Sequence, residues 1–230
     1  MIADTAQAFR ATRERAPQHW MTANGPWALS VLLGAAMTFA VVQSVALSNW
    51  AHGLTAITPV AIGGILVAAV FARFRWLPGY LAHLLSAVLG LAWTVKMLGP
   101  LMDTGLTTWR DHALELLIHG IVAGRLAAQG GVGDDLLLFV AVLALISWAL
   151  GYASIWMLLR YGWAWWVVLL NAVMLFVNLT YASPKPPISL FFLFDAAALL
   201  IIVQQTYLQR ARSWDAAHMD YPDFLGWRFV

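Results

Sequence analysis

Asp195 is the residue whose setting most invites chemistry. It stands between Phe191-Phe192-Leu193-Phe194 and Ala196-Ala197-Ala198-Leu199-Leu200. A carboxyl group in so apolar a run is costly unless it holds its proton, pairs with a cation or ligates an ion. Lys96 lies about 30 Å along another apolar run, at a depth that suits an ion pair with Asp195. A proton relay or ion ligand in a small transporter is one reading. Such a site would need further polar groups around broken helices, and no second acid stands in the apolar interior. The favoured reading is a protonated or Lys96-paired carboxyl that fixes helix packing.

Other residues offer weaker chemistry. His112, Glu115 and His119 recur at helical spacing and could ligate a metal. The two histidines are separated by about 10.5 Å of rise, however, so a solvated polar face is expected there. His83 could ligate a haem or chlorophyll metal, although a single histidine near a helix end is more often packing. Asn171, Asn178, Gln43, Gln204 and Gln205 lie in apolar runs, where amides usually hydrogen-bond across helices. Asn178-Leu179-Thr180 matches a glycosylation sequon by chance. Ala82, Ser86 and Gly90 form a small-residue stripe that permits close helix approach. Pro59 and Gly63-Gly64 suggest a kinked or flexible helix. Trp93, Trp148 and Trp156 could line a lipid, quinone or pigment groove, but lipid-facing bulk is the plainer expectation. With no Cys among 230 residues, disulfides, thiolate metal sites and cysteine nucleophiles are excluded. No phosphate loop, nucleophile elbow or HExxH motif is present.

The elements that must carry these residues follow from composition. The chain is 62% hydrophobic and 10% charged, with mean hydropathy +0.75. A soluble domain has about 25% charged residues. A soluble enzyme, a nucleic-acid binder and a disordered chain are therefore excluded as classes. Six apolar runs are each long enough to cross a hydrocarbon core of about 30 Å: residues 27–47, 54–71, 77–97, 136–159, 163–181 and 188–208. Lipid-facing segments must satisfy their own backbone, so these are helices. The fold expected is an all-α integral membrane protein, a bundle of about six transmembrane helices. One amphipathic helix on the outer surface joins it, over Trp109 to Gln129 within the outer loop 99–135. Its apolar side, Leu114, Leu117, Ile118, Ile121 and Val122, lies down on the membrane. Asp134 and Asp135 suit the N-terminal end of the fourth span.

Lys and Arg set the orientation. Arg10, Arg13, Arg15, Arg73, Arg75, Arg160, Arg210, Arg212 and Arg228 share one side, against Lys96, Arg110, Arg125 and Lys185 on the other. The positive-inside rule puts both ends in the cytoplasm and the bundle in the inner (plasma) membrane. Residues 1–26 and 209–230 then form cytoplasmic segments. The second stops abruptly at Gly226-Trp227-Arg228-Phe229-Val230, as though another element followed. The pI of about 9.2 thus reflects topology and not a nucleic-acid surface.

Several aromatic-Gly patterns carry a resemblance. They are Arg75-Trp76-Leu77-Pro78-Gly79, Thr108-Trp109-Arg110, Trp148-Ala149-Leu150-Gly151-Tyr152 and Leu159-Arg160-Tyr161-Gly162-Trp163-Ala164-Trp165. With the span layout, they resemble the N-terminal membrane region of bacterial transglutaminase-like membrane proteins, over about residues 20 to 215. That resemblance implies an extracytoplasmic catalytic domain with a Cys-His-Asp arrangement. None of those residues carries over to this Cys-free chain. The role expected is therefore non-catalytic: an anchor, scaffold or assembly subunit. Its partners would be membrane lipids and other membrane subunits or its own missing C-terminal domain. The runner-up is an accessory subunit of a photosynthetic or respiratory complex, packed against pigments, quinones or lipids. No cofactor is assigned with certainty.

Overall fold

The apolar runs fold as their composition requires, into helices that satisfy their own hydrogen bonds. The structure, a computed structural model, describes residues 20–102, 105, 108–129 and 135–216. Its seven α-helices are α1 (Trp20–Ala46), α2 (Ile57–Arg73), α3 (Gly79–Leu98), α4 (Trp109–Ala128), α5 (Leu136–Tyr161), α6 (Ala164–Tyr181) and α7 (Ile188–Ala216). Short 3-10 turns, Leu54–Ala56 and Gly99–Leu101, precede α2 and follow α3. No strand occurs among the described residues. Every helix except α4 is long and apolar enough to span a membrane. The chain is an all-α, multi-pass membrane protein with one additional amphipathic helix.

Two boundaries move outward from the sequence expectation. Helix α1 begins at Trp20, inside the expected N-terminal segment, and Pro26 lies within it. Helix α7 runs to Ala216, past the expected end at residue 208. Polar residues can extend a transmembrane helix beyond the hydrocarbon, so hydropathy alone makes such helices too short. Residues 1–19 and 217–230, with Gly130, Gly131, Gly133 and Asp134, lie outside the described residues.

Helix α5 is the hub, packing against α1, α2, α3 and α6. Its closest seam is with α2. A Cβ on Gly64 would stand 2.5 Å from the Trp148 carbonyl oxygen, and one on Gly151 would stand 2.6 Å from the Ala61 carbonyl oxygen. Each helix thus presents a glycine to the other's backbone. Pro59 falls in the first turn of α2, where its missing N–H removes no helix bond. Helix α2 is continuous through Gly63 and Gly64. Those glycines permit close approach to α5. The opposite pairing joins α1 to α7. Gln204 Nε2 donates to the Pro26 carbonyl at 2.8 Å, and Gln205 Nε2 donates to Ser30 Oγ at 3.1 Å.

Between α5 and α6 the turn is sharp. Gly162 takes a left-handed conformation (φ 67°), and its N–H returns to the Leu158 carbonyl, the usual glycine cap at a helix C-terminus. Away from these seams the bundle exposes Leu84, Leu85, Val88, Leu91, Val173 and Phe176, side chains suited to hydrocarbon.

Gly64→Val should lower the thermal midpoint of the purified protein in detergent, since overpacking of a close seam costs about 1–3 kcal/mol. Gly124→Ala, where a Cβ meets nothing within 4 Å, should leave it unchanged or slightly raised.

Candidate functional site

Two features concentrate the chemically capable residues: a groove between α3 and α5, and the attachment of α4. The groove grows from the small-residue stripe. Ala82, Ser86 and Gly90 are all buried, and Trp148 of α5 lies across them. Its Nε1 donates to Ser86 Oγ at 3.1 Å. A Cβ on Gly90 would stand 2.7 Å from that same nitrogen. The stripe therefore receives an indole, and only small residues leave room for it.

One turn apart along α5 stand Trp148, Tyr152, Trp156 and Arg160, a row that shares one face. The Tyr152 and Trp156 rings stack with centroids 5.8 Å apart and planes 17° apart. His83 of α3 meets both rings edge-on, at 5.7 and 5.1 Å. Its Nδ1 lies 3.0 Å from the Tyr152 hydroxyl. Arg160 closes the row, with its guanidinium 4.9 Å above the Trp156 ring and Nη2 donating to the Leu77 carbonyl at 2.9 Å. Beside this row is an open-sided cavity of about 430 Å³, whose lining includes His83, Ala87, Ala149, Ala153, Met157 and Tyr161.

Trp148 and Trp156 correct the expectation of lipid-facing bulk, for they are only 5% and 2% exposed. Trp93 is partly exposed, and its Nε1 donates to the Pro59 carbonyl at 3.2 Å. Tyr152 and Arg160 went unrecognised as site residues in the sequence. The signal that could have found them was the four-residue repeat from Trp148 to Arg160.

Helix α4 reverses another expectation. Its polar side is not a solvated face but the side turned to the bundle. His112 packs beside Gly99, and Glu115 Oε2 is buried. His119 Nδ1 hydrogen-bonds the Asp135 carboxylate. Leu114, Leu117, Ile118, Ile121 and Val122 are exposed, the arrangement expected of a helix with lipid on its far side. Asp135 also caps α5, accepting the Leu138 N–H at 3.0 Å. The expected helix-capping role of Asp135 is thus present, joined to an anchoring one. No group of three His, Cys, Asp or Glu suited to a metal occurs among the described residues.

The remaining expected site residues separate. Asp195 is half-buried on α7, which packs on α1 and α6, whereas Lys96 lies on α3, which packs on α2, α4 and α5. No ion pair joins them; Lys96 Nζ instead lies 5.1 Å above the Trp93 ring. The topology, unreadable from depth alone, keeps them apart. Asn171 and Asn178 hydrogen-bond to neighbouring helices. Asn171 Nδ2 donates to Ser154 Oγ at 2.8 Å. Asn178 donates to Ser44 Oγ at 3.0 Å and accepts from Ser48 Oγ at 2.8 Å. At 1% exposure, Asn178 is closed to glycosylation.

Burial pushes the Asp135 carboxyl up, but the His119 hydrogen bond and the Leu138 N–H outweigh it and hold the group below its ordinary 3.8. Its stabilising link with His119 is therefore complete above that value, and it is lost as pH falls through the lower folded-state value. A spin label on Gly120→Cys, an open position on α4, should gain mobility over that acid range. Asp135→Asn should abolish the pH dependence.

No protein family, curated protein or solved structure matches this chain.

Proposed function

We propose that this chain is a non-catalytic membrane module that anchors or scaffolds a larger assembly. The observation that carries this reading is the fate of its interior polar groups. Asn171, Asn178, Gln204 and Gln205 each donate to a neighbouring helix, so amides that could line a transport path instead hold helices together. Such bonds stabilise membrane bundles by about 1 kcal/mol each. Asp195, the residue on which a transporter would depend, has no charged partner among the described residues. The likeness to the membrane region of transglutaminase-like proteins supports an anchoring role. The aromatic groove favours a second reading, an accessory subunit that packs against a lipid-soluble ligand.

In this proposal the end bearing Arg73, Arg75 and Arg160 faces the cytoplasm, and α4 lies on the outer face of the inner membrane. The absence of native cysteine makes the test direct. In intact cells, a membrane-impermeant maleimide should label Lys185→Cys, in the exposed outer loop, and spare Arg75→Cys; the reverse pattern would invert the topology. For function, proteoliposomes carrying the wild-type chain should dissipate a proton or cation gradient no faster than empty liposomes. A flux present in wild type and lost in Asp195→Asn would replace the scaffold with a transporter.

Asn178→Leu should lower stability in detergent by about 1–2 kcal/mol, since it leaves Ser44 and Ser48 without their cross-helix partner. Asp195→Asn should leave the thermal midpoint unchanged.

A further inference from the structure

We propose that the groove between α3 and α5 binds the ring of a lipid-soluble quinone, with the His83–Tyr152 pair as its hydrogen-bonding partner. This goes beyond the scaffold reading and does not depend on it. His83 lies within the span Gly79–Leu101, about 6 Å from its start, yet it is exposed. An imidazole facing hydrocarbon is costly unless its polar atoms are matched. Tyr152 matches Nδ1, which leaves Nε2 for a ligand that arrives from the lipid.

The geometry selects the class of ligand. The cavity of about 430 Å³ lies in the range that holds small organic molecules, and its open side admits a tail that remains in the membrane. Its lining combines aromatic rings with three small alanines, which suits a planar ring. Its polar pair is an imidazole and a phenol, unlike the guanidinium forks that select phosphate. The nearby guanidinium of Arg160 is already engaged with the Trp156 ring and the Leu77 carbonyl. A neutral ring with carbonyl or hydroxyl groups fits better than an anionic headgroup.

The pair also suits both oxidation states of such a ring. When the Tyr152 hydroxyl donates to Nδ1, Nε2 carries the proton and donates to a quinone carbonyl. When Nδ1 donates to Tyr152, Nε2 accepts from a quinol hydroxyl. This is a binding proposal and includes no electron transfer.

The test is a titration of ubiquinone-1 into the purified full chain in phosphatidylcholine nanodiscs, read by tryptophan fluorescence. Trp148 and Trp156 flank the groove, so saturable quenching is expected. His83→Leu should raise the Kd at least tenfold. Ala153→Leu, which fills the cavity and leaves both polar residues in place, should do the same with an unchanged thermal midpoint. If His83→Leu fails to fold, Ala153→Leu decides alone, together with the ¹⁵N shift of the wild-type His83 imidazole on adding ubiquinone-1. Quenching that never saturates, or that is equal in wild type and Ala153→Leu, overturns the proposal. So does an unmoved His83 shift. Saturable quenching that phosphatidylglycerol nanodiscs abolish would assign the groove to a phospholipid and overturn it too.

Discussion

In hydrocarbon there is no hydrophobic force to pull one apolar helix onto another, so this bundle depends on how closely its backbones approach. The decisive contact is the reciprocal one between α2 and α5, where Gly64 faces the Trp148 carbonyl and Gly151 faces that of Ala61. Close backbone approach maximises dispersion between helices that lipid would otherwise solvate equally well. The contact also fixes the height and rotation of α5. Everything that α5 presents to its other neighbours, from Trp148 to Arg160, takes its position from that seam.

Polar bonds provide the second constraint, and they are distributed by pair. Ser44 and Ser48 hold Asn178 between α1 and α6, Ser154 holds Asn171 between α5 and α6, and Gln204 and Gln205 fasten α7 to α1. A directional bond in a low-dielectric interior fixes register where uniform apolar surfaces would slide. With α1–α7 joined by amides and α2–α5 by glycines, the two most extensive pairings in the bundle rest on different physics.

The groove and α4 both depend on this framework. The small residues of α3 admit the Trp148 indole, and that indole sets the upper wall of the groove. Helix α4 reaches the bundle through its polar side, where Asp135 both caps α5 and holds His119. One carboxylate thus couples the start of a span to the helix beside it. The apolar side of α4 faces away from the bundle.

By itself the sequence determined the class, the six spans and the amphipathic helix. These follow from local hydropathy and from a backbone that must satisfy itself in lipid. It also marked Ala82, Ser86 and Gly90, Asn171 and Asn178 as packing residues, because small and amide side chains have few other uses in hydrocarbon. Only the tertiary structure decided which helices are neighbours. Depth suggested an Asp195–Lys96 pair, but depth is read along one helix axis and proximity requires two. The same gap hid the groove: His83 and Tyr152 are 69 residues apart, and no local periodicity joins them. Nor could periodicity tell which side of α4 faces protein, since it reports that two faces differ and not what each one meets.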